Sequence, residues 1–108
     1  MANKMKPLSP EACQTMADVR AGVDALDLEL VALLGRRFGY MDAAARIKVQ
    51  RGEVRDEARK AQVIANAASA AAAAGLPDGM AAALWETLVE ASISHELGQW
   101  DALHARQG

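Results

Sequence analysis

Cysteine is almost missing from this chain. Cys13 stands alone, so no internal disulfide can form, and the two histidines have no Cys or His partner at metal-ligand spacing. A disulfide scaffold and a zinc-type centre are excluded, and no metal or cofactor is expected. Aromatic residues are scarce at 4%, and many of the 52% hydrophobic residues are alanines. A monomer would have a thin core of small side chains, which points to oligomerisation. No run of about 18 apolar residues occurs, so no membrane contact is expected, and the start "MANKMKPLSP" lacks the apolar centre of a signal peptide. The reading is a cytoplasmic, reduced protein. Charge of one sign is lacking too: a formal net charge of -2 excludes a general nucleic-acid binder.

Proline is absent between Pro10 and Pro77, so helix is permitted throughout that interval. Residues 1–12 read as an N-terminal tail and 13–104 as one helical domain. The first helix starts near Glu11 to Thr15 and keeps an apolar stripe through Met16, Val19, Val23, Leu26, Leu30, Leu34 and Met41 as far as Lys48. Such a helix is about 50 Å long, whereas a compact domain of this size is about 35 Å across. One protomer cannot cover it. Gly22, Gly35 and Gly39 lie inside it and imply close helix approach or a kink.

Gly52 in "VQRGEV" breaks the pattern. Asp56 then suits the N-cap of a second helix that ends at Gly75, in "GLPDG". Asp78 is the expected cap of a third helix, from about Gly79 to Leu103. Its face is read as Leu84, Trp85, Leu88, Ala91, Ser92 and His95, with Ile93 and Leu97 opposite. The fold class is therefore all-α, with one long and two shorter helices per chain completed by a second chain into a bundle.

Two cations interrupt the first stripe. Arg37 and Lys48 are separated by three turns plus about 20°, so both leave the helix in nearly one direction, about 16 Å apart. An unpaired buried charge costs several kcal/mol. Either acidic side chains meet these two, or an anionic ligand does.

The order "MADVRAGVDALDLELVALLGRRFGYMDAAARIK", "VRDEAR", "LWETLVEASISHELGQW" resembles the all-helical chorismate mutase family, including its isochorismate pyruvate lyase branch, over roughly residues 13 to 100. The resemblance implies an intertwined homodimer in which each site borrows Arg20 from the partner chain. It implies that Arg37 and Arg59 bind substrate carboxylates, that Lys48 serves the ether oxygen, and that Asp56 faces the ring hydroxyl. Ser92 and Glu96 would close the opposite wall, with protonated Glu96 donating to the ether oxygen. The implied activity is the rearrangement of chorismate to prephenate in aromatic amino acid biosynthesis, without cofactor. A small dicarboxylate is the implied ligand.

Two departures stand out. Lys60 occupies a position where many mutases have a glutamate, and Glu96 one where many have a glutamine. "EACQTMADVR" and the short loop between Lys48 and Arg59 also resemble the lyase branch, which forms salicylate from isochorismate. A non-catalytic dimerisation or metabolite-binding module is the alternative outside enzymology. His95 is read as a packed or surface histidine, His104 as a fraying terminal one, and Trp85 and Trp100 as core or interface anchors.

Overall fold

A computed structural model describes residues 6–105. Residues 1–5 of the expected tail lie outside the described residues. Helices α1 (Met16–Ile47), α2 (Glu57–Ala73) and α3 (Met80–His104) follow a 3-10 turn at Pro10–Ala12, with a second such turn at Arg51–Glu53 between α1 and α2. Among the described residues there is no strand. The chain divides into two compact units, one up to Arg37 and one from Phe38 onward.

Local chemistry sets the helix ends. Thr15 and Asp18 make a reciprocal cap at the start of α1: the Asp18 amide donates to Thr15 Oγ1 at 3.1 Å, and the amides of Gln14 and Thr15 donate to Asp18 Oδ2 at 3.0 and 3.2 Å. Those two backbone N–H groups hold the Asp18 carboxyl below the usual aspartate range. Asp56 caps α2 as expected, accepting from the Arg59 amide at 3.0 Å. Gly75, at φ +77, ends α2 in a Schellman motif, in which Leu76 N–H reaches Ala71 O and Gly75 N–H reaches Ala72 O.

The start of α3 corrects the sequence reading. Its N-cap is Gly79, at φ +81, with no side-chain cap bond. Asp78 stands one residue too early for its carboxylate to serve the first free amides of the helix.

In the unit up to Arg37, the tail crosses α1 at Gly22, where an added Cβ would stand 3.9 Å from Leu8 O. The apolar stripe of α1 is uncovered here: Met16, Val23, Leu26 and Leu30 are all half or more exposed. Gly35 has no neighbour within 4 Å of an added Cβ, and neither has Gly39 in the second unit. The close approach expected at those two glycines is therefore not made within the chain, and α1 runs unbroken through both.

The second unit holds the core. Val54, Val89 and Ile93 are buried, with Val63, Ile64, Trp85, Leu97 and Trp100 packed around them. The buried line of α3 is thus Ala81, Val89, Ser92, Ile93 and Glu96, rotated from the expected one. Leu84 is exposed, whereas Ile93, placed on the far side by the sequence reading, is core. A helix apolar around most of its girth does not reveal its inner face by periodicity.

Candidate active site

Lys48 follows the last residue of α1, and α3 meets it at two points. Its ammonium lies 2.7 Å from Glu96 Oε2. Its carbonyl accepts a hydrogen bond from the Trp100 indole N–H at 3.1 Å. Glu96 and Trp100 are four residues apart on α3 and so project from one face, which lets a helix turn grip a single lysine at both ends.

Burial makes the pair unusual. The Glu96 side chain is 5% exposed and that of Lys48 27%. The Lys48 approach is short but off the hydrogen-bond axis, which leaves Glu96 Oε2 a buried oxygen without a directed donor. Ion pairs this deeply set contribute little net stability, because desolvation offsets their attraction. Ser92, one turn before Glu96, is also buried, and its hydroxyl donates back to Leu88 O at 2.7 Å.

The other expected site residues are placed differently. Asp56 spends an oxygen on the α2 cap, and the Arg59 guanidinium donates to Gln62 Oε1 at 2.6 Å along the same helix. Among the described residues neither makes a hydrogen bond or ion pair with Lys48 or Glu96. Arg20 and Arg37 lie on α1 in the first unit, and Arg20 is exposed. Of the residues expected at the site, the structure brings Lys48 and Glu96 into contact, with Ser92 alongside on α3.

The partners of His95, His104 and Lys60 escaped the sequence reading. His95 Nε2 meets Asp42 Oδ1 at 2.6 Å, and its ring packs edge-on to Phe38. His104 stacks on Trp100 with ring centroids 3.6 Å apart, and its Nδ1 lies 2.8 Å from Trp100 O, so it is anchored and not fraying. Lys60 is turned to α3, at 2.8 Å from Glu86 and 2.7 Å from Glu90. Glu90 also receives both terminal nitrogens of Arg55, at 3.0 and 2.8 Å. Hydrogen bonds from Arg55 and then Lys60 hold the Glu90 carboxyl down at about 2. The same contacts raise the Arg55 and Lys60 cations above their ordinary ranges, led by Glu90 for Arg55 and by Glu86 for Lys60. Two bases at positions 55 and 60 and two acids one helical turn apart at 86 and 90 were the available signal, but only the fold says which acid meets which base.

The Chorismate mutase type II family model matches residues 19–97, an interval that contains Lys48, Glu96 and every other expected site residue. The chain belongs to that family. Within it, the chain is 30% identical over 92 residues to the isochorismate pyruvate lyase of Pseudomonas aeruginosa, an alignment covering 85% of this chain and 91% of that protein. The three α-helices and the lack of strands among the described residues accord with the helical fold expected of the family.

Proposed function

We propose that this member of the type II family is a chorismate mutase, converting chorismate to prephenate by an intramolecular pericyclic rearrangement. The observation that carries the reading is the Lys48–Glu96 pair, a partly exposed cation against a nearly buried carboxyl, an arrangement that gains little net stability over an apolar one. The reaction needs no nucleophile. It needs the compact conformer held and the charge developing on the breaking ether stabilised. Lys48 supplies a compact positive charge for that oxygen, and Arg37 and Arg59 clamp the carboxylates bidentately. Glu96 in its acid form donates to the same oxygen, and Ser92 and Asp56 orient the ring. Arg59 would exchange Gln62 for the ligand on binding.

The site is completed by a homodimer in this reading, with Arg20 of the partner subunit as the remaining cation. The exposed stripe from Met16 to Leu34 supports it, since each of those side chains is 38–58% exposed and has roughly half of the ~1.5–3 kcal/mol of full burial still to gain. Among the described residues no helix is long and apolar enough to cross a membrane.

A second reading, isochorismate pyruvate lyase, is favoured by the name of the Pseudomonas aeruginosa relative and by the extent of the match. One assay separates the two. Purified protein is incubated with chorismate and with isochorismate, and prephenate, salicylate and pyruvate are followed. Prephenate from chorismate is the expected result; salicylate and pyruvate from isochorismate alone would replace the mutase reading with the lyase one. Turnover of neither would leave a binding module. Glu96→Gln keeps a donor, so it should retain far more turnover than Glu96→Ala.

A further inference from the structure

We infer that Trp100 is a positioning residue for Lys48, acting through the lysine's main chain. The inference rests on the catalytic role proposed above for Lys48. A lysine ammonium rides on four flexible carbons, so a contact at its tip alone fixes it poorly. In this chain the root of the side chain is fixed as well. Lys48 stands where α1 gives way to the loop, a place where carbonyls lose their helical partners and the backbone is free to fray. The Trp100 indole N–H takes up the Lys48 carbonyl at 3.1 Å.

Tryptophan suits the task because its indole N–H can only donate, leaving no ambiguity about which group faces the carbonyl. The ring itself cannot drift. It packs against the Val54, Val89 and Ile93 core on one side, and His104 stacks on it with an interplanar angle of 14°. Glu96 and Trp100 therefore set the two ends of Lys48 from consecutive turns of α3. Loss of the indole donor frees the carbonyl end while leaving the carboxyl partner in place. The ammonium then samples positions away from the ether oxygen, and displacements of about 1 Å can cost as much as 100-fold in rate.

The test uses Trp100→Phe in the full-length protein, with two readouts. Turnover of wild type and variant is compared on whichever substrate the wild type accepts; kcat should fall about tenfold or more with KM nearly unchanged. The second readout needs no substrate. In 15N-lysine-labelled protein the Lys48 ammonium gives a resonance identified by its loss in Lys48→Ala. In the wild type it should be shifted and slowed in exchange by Glu96, and in Trp100→Phe it should move towards free-lysine behaviour. A Lys48 signal unchanged by Trp100→Phe overturns the inference, whatever the activity. Wild-type protein inactive on both substrates overturns the mutase and lyase readings, and the resonance still decides whether Trp100 positions Lys48. If Trp100→Phe does not fold, 3-benzothienylalanine at position 100 keeps the two-ring shape and removes only the N–H, and the same two outcomes apply.

Discussion

The residues up to Arg37 and those from Phe38 onward solve the problem of a small-residue helix in opposite ways. In the second unit a modest core of Val54, Val89 and Ile93 is supplemented by charge: Arg51 grips Asp101 at 2.7 and 3.1 Å, and Arg55, Lys60, Glu86 and Glu90 form a continuous chain of ion pairs between α2 and α3. In the first unit the apolar stripe of α1 stays largely exposed. Its large side chains, Leu28 at 74% and Leu30 at 56% exposed among them, face outward on more than one side. An apolar face that its own chain does not cover needs cover from elsewhere, whereas the second unit has the makings of a self-contained fold.

The sharpest way to break this contrast is Leu30→Asp. In the proposed dimer it places a charge in each copy of the helix interface, and sedimentation should show the dimer lost and circular dichroism a large fall in helix. Sedimentation of the wild type as a folded monomer at micromolar concentration would remove the difference between the units.

Lys48→Ala comes next, with turnover expected to fall by about 100- to 1000-fold while sedimentation stays that of the wild type. Should the variant unfold instead, the pair with Glu96 is structural and the second unit is merely better stapled than the first.

Glu90→Gln probes the staples themselves. Because the Glu90 carboxyl is depressed from 4.5 to about 2 in the fold, its contribution is complete above 4.5 and is lost as pH falls towards about 2. Urea melts should therefore show the variant less stable than wild type near neutrality, with the gap closing by about pH 2. The smallest effect is expected of Gly75→Ala. The positive φ disfavours any Cβ, so stability should drop by about 1 kcal/mol with kcat unchanged.

What could be read from the sequence follows the range of the forces involved. The ends of α1, the Asp56 cap and the Gly75 stop are set by neighbours in the chain, and all are visible as residue types at short spacing. The Arg37 and Lys48 anomaly within an apolar stripe was legible for the same reason. The acid that meets Lys48 was not legible from spacing, since 47 intervening positions separate it from Glu96 and several other carboxylates could have served. The inner face of α3 was misread because Leu84 and Leu88 are as apolar as Val89 and Ile93. Only packing against α2 and the Arg51–Glu53 turn selects between them.

The stack of His104 on Trp100 has an optical consequence. An imidazole stacked on an indole alters its emission. With Trp85 replaced by phenylalanine, the remaining fluorophore would change whenever His104 swings away. Trp100 also holds the Lys48 carbonyl, so the colour and intensity of that single lamp would report on the back of the site while the front is occupied. No dye has to be attached to see it.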